Sequence, residues 1–163
     1  MKPMFSVVSR LMLVAFALLV GACSSAPEKP QPAALPAVSG QVAVKQVWSN
    51  SIGAVTSPLF ASVHGDQVAV ASTQGQVALI NAGTGQDVWR LNLNTPIQAG
   101  VSGDGQRFAV VTQNNELVAV ESGRVIWRQA LSALSYTPPL VAGERVFVLT
   151  GDRAVTAFDG ATG

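Results

Sequence analysis

Short apolar runs alternate with turn-forming residues along most of this chain. Four runs lie between residues 58 and 93, at 58–63, 68–70, 77–80 and 88–93. They are rich in Val, Ile and Leu, and the segments between them carry Gly, Asn, Asp and Ser. Such runs and breakers favour short strands joined by tight turns over helices. The pattern therefore predicts a four-stranded antiparallel unit.

The same unit recurs twice further along the chain. Corresponding runs lie at 108–111, 117–120 and 125–131, and a third set lies at 140–141, 146–149 and 155–158. A proline marks the start of each unit, in Ser57-Pro58-Leu59, Thr95-Pro96-Ile97 and Thr137-Pro138-Pro139. A repeat of about 40 residues made of short strands is typical of a β-propeller blade. The predicted fold is all-β, with about three such blades.

Each unit is further marked by the motif Gly-x-x-x-Trp. It runs from Gly85 to Trp89 and recurs 38 residues later, after a turn, Glu121-Ser122-Gly123, that is two residues shorter. A tryptophan alone lies 41 residues before Trp89. Glycine permits a tight turn with positive φ, and an indole ring can wedge between blades. We therefore expect a packing role, not ligand binding, for the repeat residues Trp48, Trp89, Trp127, Gly85, Gly123 and Gly163.

These repeats predict the organisation of the chain. Residues 41–53 are similar to a fourth strand that lacks its first three, so we expect an orphan outer strand of the kind that closes a propeller ring. Blades follow at 54–94 and 95–133, and an incomplete blade follows at 134–163. Because propellers use four to eight blades, we expect the chain to be the first portion of a larger protein, with its ring left open.

The first 22 residues have the pattern of a bacterial lipoprotein signal peptide. Lys2 and Arg10 flank a positive region, and an uncharged apolar run of 10 residues follows, too short to span a bilayer. Cys23 comes directly after this region and is the single cysteine of the chain. We expect it to be lipidated and to become the first mature residue. The predicted lipobox comprises Val20, Gly21, Ala22 and Cys23.

Residues 23–40 have a different composition from the rest of the chain. Small and polar residues predominate there, together with Pro27, Pro30, Pro32 and Pro36. Such a segment buries no core and predicts an extended, lipidated tether ahead of the propeller at 41–163. Without the signal peptide at 1–22 the chain carries eight basic and nine acidic residues. No basic stripe is present, so we expect no nucleic-acid partner.

Few residues offer catalytic or metal-binding chemistry. His64 is the single histidine, and Asp66, Asp104 and Asp152 each occupy a predicted turn. Turn formation explains these carboxylates. No His, Cys and carboxylate cluster has the spacing of a metal site. We therefore predict no catalytic residue, no metal and no cofactor.

The repeat resembles the PQQ-like (quinoprotein) propeller repeat, Asp-Ala-x-Thr-Gly-x-x-x-Trp. The segment from Asn81 to Trp89 fits this pattern with Asn in place of Asp, and the segment from Asp159 to Gly163 fits as far as it extends. Together with the lipobox and the Pro-rich tether, these blades resemble the N-terminal portion of the BamB family. Members of that family are lipoprotein subunits of the BAM complex, which assembles β-barrels in the bacterial outer membrane.

The resemblance implies a non-catalytic scaffold, lipid-anchored to the outer membrane and facing the periplasm. Its implied partner is the barrel-inserting subunit, contacted through periplasmic domains by loops expected mainly beyond residue 163. Ser24, rather than Asp, after the lipidated cysteine is consistent with sorting to the outer membrane. One alternative is a quinone (PQQ)-dependent dehydrogenase, which needs a cation, carboxylate ligands and an aromatic floor at the ring centre. Another is a generic periplasmic protein-binding propeller.

Overall fold

The structure is a computed structural model that describes residues 32–33, 44–57 and 59–163. Every regular element in these ranges is a strand, and the strands form three antiparallel sheets in chain order. The first sheet contains β1 (Ser62–His64), β2 (Gln67–Ala71), β3 (Gln76–Asn81) and β4 (Asp87–Asn92). The second contains β5 (Ile97–Gly103), β6 (Arg107–Thr112), β7 (Glu116–Glu121) and β8 (Arg124–Ala130). The third contains β9 (Leu140–Ala142), β10 (Arg145–Leu149) and β11 (Val155–Asp159).

The middle sheet is covered on both faces. Along β6, Phe108 and Val110 belong to a core shared with the first sheet, whereas Ala109 and Val111 belong to a core shared with the third. All four side chains are at most 2% exposed. Successive side chains of a strand point to opposite faces, so a strand buried on both faces is apolar at every position. This explains the unbroken apolar runs of the sequence.

The fourth strand of each four-stranded blade carries the repeat tryptophan and a β-bulge. In β4 the register shifts so that Val88 has no opposite residue, and in β8 the same happens at Ile126. Each of these residues directly precedes the tryptophan of its strand. A bulge increases the local twist and redirects the neighbouring side chain. The bulge therefore helps each tryptophan to turn toward the next blade.

The first strand is shorter than the sequence predicts. Among the described residues of this run, 59–63, strand structure begins only at Ser62, and it continues to His64. Phe60 bonds to the second blade instead. Its N–H donates to the Gly100 oxygen at 3.0 Å, and its oxygen accepts from the Val101 N–H at 3.2 Å. The segment before β1 thus links two blades rather than extending the first sheet.

The structure differs from the predicted orphan outer strand at 41–53. Residues 41–43 lie outside the described residues, and residues 44–53 belong to no strand. A strand requires a neighbour to pair with, and no described strand of a preceding blade lies beside this segment. The strands of the three sheets fall within the ranges 54–94, 95–133 and 134–163. The boundaries of those blades stay predictions.

Candidate functional site at the blade junctions

Each blade junction pairs a tryptophan with the glycine of the following turn. A Cβ atom added at Gly85 would lie 2.6 Å from the Trp48 ring, and one at Gly163 would lie 2.9 Å from the Trp127 ring. Both glycines also have positive φ, at +73° and +76°. Close approach and backbone conformation therefore both require glycine at these positions. The three pairs are Trp48 with Gly85, Trp89 with Gly123, and Trp127 with Gly163.

Two of the three tryptophans also donate a hydrogen bond to the turn that they cover. The Nε1–H of Trp48 donates to the main-chain oxygen of Ala82 at 2.7 Å. The Nε1–H of Trp127 donates to the main-chain oxygen of Gly160 at 2.8 Å. Each acceptor is the second residue of a five-residue turn that ends in the packed glycine. The five-residue turn thus supplies both a flat surface for the ring and an acceptor for the indole.

The first residue of each five-residue turn maintains its conformation. Asn81 Oδ1 accepts hydrogen bonds of 2.9 to 3.1 Å from the N–H groups of Gly83 and Thr84 and from the Thr84 hydroxyl. Asp159 Oδ1 accepts the equivalent three bonds in the third blade. The bonds from the N–H and then the hydroxyl of Thr162 lower the pKa of Asp159. Asn or Asp can begin this turn because each offers the same oxygen.

A polar cluster fastens the segment around Trp48 to the first blade. Asn50 donates through Nδ2 to the Gly85 oxygen at 2.8 Å and to Asp87 Oδ1 at 2.9 Å. Arg90 donates through Nε to Asp87 Oδ2 at 2.6 Å and through Nη2 to Asn50 Oδ1 at 3.1 Å. The hydrogen bond from Arg90 is the main reason that the pKa of Asp87 is lowered. The segment is therefore held by side chains in place of strand pairing.

The middle junction differs because the turn from Glu121 to Gly123 is two residues shorter than the other two turns. Its second residue, Ser122, stands where the other two turns have the acceptor. The indole N–H of Trp89 makes no hydrogen bond within the described residues, unlike those of the other two tryptophans. A Cβ at Gly123 would meet Cβ and Cγ of Trp89, at 3.1 and 3.3 Å, before the six-membered ring. The ring instead packs edge-on against Phe108, with centroids 5.6 Å apart and an interplanar angle of 67°.

A cavity of about 440 Å³ lies beside the short turn. None of its lining residues carries a formal charge. Glu121, the first residue of that turn, accepts hydrogen bonds from Gln106 and Arg107, each at 3.1 Å. The sequence shows the shorter turn but not the cavity, because the volume depends on where the Trp89 ring packs. The lining comprises Gln67, Leu79, Val88, Trp89, Gly105, Gln106, Phe108 and Ser122.

Asp66, Asp104 and Asp152 lie in turns between strands, as predicted, whereas His64 ends β1. Asp104 accepts a hydrogen bond from the Arg107 N–H at 2.7 Å, and Asp152 accepts one from the Thr150 hydroxyl. His64 Nδ1 lies 2.7 Å from the oxygen of the residue before it. Among the described residues no group of three His, Cys, Asp or Glu could hold a metal ion.

The N-terminal predictions fall where the structure gives no description. The lipobox residues 20–23 lie outside the described residues, as does most of the tether at 23–40. Across the described ranges, no helix has both the length and the apolar character that crossing a bilayer requires. The lipidation site and the tether stay predictions from the sequence.

Successive antiparallel blades with tryptophan-on-glycine junctions define a PQQ-like β-propeller repeat protein. The model of the family described as outer membrane protein assembly factor BamB matches residues 73–163, more than half of the chain. The chain belongs to the BamB family. The predicted fold class and family are therefore both confirmed.

Individual relatives agree with this assignment. The assembly factor BamB of Burkholderia pseudomallei is 36% identical over 149 residues, which cover 90% of this chain and 39% of that protein. That of Pseudomonas aeruginosa is 34% identical over 94 residues, covering 55% of this chain and 25% of the relative. The crystal structure of BamB from Moraxella catarrhalis superposes with a TM-score of 0.58 at 26% identity, covering 64% of this chain and 32% of that one. The chain thus spans well under half the length of these relatives.

Proposed function

We propose that this protein is a non-catalytic scaffold subunit of the machinery that assembles β-barrel proteins in the outer membrane. The observation that carries the proposal is the BamB family match over residues 73–163. The similar proteins from Burkholderia and Pseudomonas are named as assembly factors. The blade architecture supports the same role, because packed sheets form a rigid scaffold that presents loops to a partner.

The proposed partner is the barrel-inserting subunit, contacted through its periplasmic domains. Lipidation of Cys23 would place the tether at 23–40 and the blades on the periplasmic side of the outer membrane. Confinement near a membrane-embedded partner raises the effective concentration, so a modest interface can be sufficient. Stable anchoring takes more than one acyl chain, which lipoprotein processing at a lipobox cysteine supplies.

Co-purification tests this proposal. The protein is affinity-tagged at its C-terminus, expressed in its own cells and purified in mild detergent. We expect the barrel-inserting subunit to co-purify with the full-length protein and to be identified by mass spectrometry. Residues 1–163 alone should retain it poorly, because the contacting loops are expected mainly beyond residue 163. The same preparation is assayed for quinone-dependent dye reduction, for which we expect no activity above a boiled control. Dye reduction without a co-purifying barrel-inserting subunit would instead establish the quinone-dependent dehydrogenase.

A further inference from the structure

We propose that the cavity beside Trp89 binds a short turn of small, uncharged residues from a partner protein. In the bound state, a main-chain carbonyl of that turn accepts a hydrogen bond from the Trp89 indole N–H. This surface lies between the first two blades, and binding there does not depend on which protein supplies the turn.

The other two junctions show what such a site accepts. In each of them the indole N–H is bonded to the carbonyl of a small residue, Ala82 or Gly160, at 2.7 and 2.8 Å. That residue stands within a sequence of small side chains, Ala-Gly-Thr-Gly or Gly-Ala-Thr-Gly. The Trp89 junction has the same tryptophan and the same positive-φ glycine, at +73°, but lacks the two residues that complete the turn. The space left by these two absent residues therefore suits a backbone segment made of small residues.

The cavity has the size and lining of a recognition site. Its volume of about 440 Å³ falls within the range of roughly 300–1,000 Å³ that ligand pockets occupy. Leu79, Val88 and Phe108 give it an apolar wall, and Gln67 and Gln106 add polar groups. Because no lining side chain is charged, a charged occupant would lose hydration without gaining an ion pair. An uncharged backbone segment suits both the volume of the cavity and its uncharged lining.

The indole N–H provides the directional contact. A polar group that loses water without gaining a partner is destabilising, so an occupant that covers Trp89 must supply an acceptor. Purely apolar side chains fail this requirement. A main-chain carbonyl meets it and needs no particular side chain, which favours a turn built from Gly, Ala, Ser or Thr.

The test uses the indole resonances of the three tryptophans. In ¹⁵N-labelled protein, Trp48, Trp89 and Trp127 give one indole signal each, assigned with Trp→Phe variants. We expect the Trp89 indole hydrogen to exchange at least about tenfold faster than the other two, because it lacks an acceptor. The probe is the blocked peptide acetyl-Asn-Ala-Gly-Thr-Gly-amide, the turn sequence of the first blade. It should shift the Trp89 signal in a saturable way, with Kd of about 1 mM, as suits a short flexible ligand.

Two variants test whether the short turn and the cavity are responsible for binding. Replacing residues 121–123 with Asn-Ala-Gly-Thr-Gly restores the five-residue turn, and should slow Trp89 exchange to the rate of Trp48 and abolish the peptide shift. Val88→Phe fills part of the cavity without changing the turn, and should weaken peptide binding at least about fivefold. A Trp89 hydrogen protected as well as that of Trp127 in the unmodified protein would overturn the proposal. So would equal shifts at all three indoles, or a Trp89 shift that persists when the longer turn is present.

Discussion

Gly85 combines a left-handed backbone with direct contact against an aromatic ring. We predict that Gly85→Ala lowers the free energy of unfolding by about 2–4 kcal/mol, because an L-residue is strained at this φ and the new methyl group overlaps Trp48. Urea unfolding followed by tryptophan fluorescence measures the loss. Gly65→Ala is the matched control, since Gly65 also has positive φ, at +57°, but nothing lies within 4 Å of its Cβ position. Gly65→Ala should lower the free energy of unfolding by only about 1 kcal/mol. Equal losses for the two variants would show that overlap with the Trp48 ring does not contribute.

Asp159 and Asn81 accept equivalent hydrogen bonds, but only Asp159 can ionise. Because the pKa of Asp159 is lowered in the folded state, its ionised form contributes stability above the unfolded-state pKa of about 3.9. That contribution is lost as the pH falls through the lower folded-state pKa. We predict that Asp159→Asn lowers stability slightly at pH 7, because a neutral amide oxygen is a weaker acceptor than a carboxylate, and that it makes the acid-induced loss smaller. Urea midpoints between pH 2.5 and 7 measure this, and an unaltered pH profile would contradict it.

At the scale of the strand, position within a blade decides how much a side chain matters. Val118 on β7 is 0% exposed and Val63 on β1 is 62% exposed. We predict that Val118→Thr costs about 1–3 kcal/mol because its hydroxyl would be buried. Val63→Thr should change the free energy of unfolding by less than about 0.5 kcal/mol. Urea unfolding of both variants checks the difference, and similar losses would mean that β7 is not enclosed by its neighbouring sheets.

The blade junctions give a second comparison between equivalent elements. Trp127→Phe leaves the Gly160 oxygen without its indole donor in a buried junction, and we predict a loss of about 2–4 kcal/mol. Trp89→Phe removes the same atoms, but its indole makes no hydrogen bond within the described residues, so the loss should be at least about 1 kcal/mol smaller. Thermal and urea unfolding of the two variants test this. A larger loss for Trp89→Phe would show that its indole is bonded in solution.

Local periodicity was sufficient to predict most of the strands, because each blade pairs consecutive strands through short turns, but β5 was not among the predicted runs. The repeat also showed the shortened turn at 121–123. Contacts between residues far apart in the sequence could not be predicted from the repeat. The fastening of Asn50 to Asp87 and Arg90 joins residues at least 37 positions apart, and no repeat contains it. The length of β1 was likewise not predicted. The main chain at Phe60 pairs with the second blade, whereas the sequence spacing suggests that it pairs within the first blade.

For the whole molecule, the proposed anchor makes predictions that separate lipidation from sorting. Cys23→Ala should release the protein from the membrane fraction and reduce co-purification of the barrel-inserting subunit at least about tenfold, because tethering is lost. Ser24→Asp should leave the lipid in place but retain the protein in the inner membrane. Mass spectrometry of the N-terminus and membrane fractionation measure both. Membrane association of the Cys23→Ala protein equal to that of the unaltered protein would contradict the anchor.

The junctions have a direction along the chain. Each tryptophan belongs to the earlier segment, and the turn that it covers belongs to the following blade, as with Trp89 and Gly123 or Trp127 and Gly163. A polypeptide that emerges from a translocation channel N-terminus first therefore presents each indole before the turn that will lie on it. Every newly emerged blade finds a finished docking surface on its predecessor. Assembly can then advance in one direction, as in other repeat proteins whose units contact only their neighbours, and the proposed export would leave sheet faces exposed only briefly.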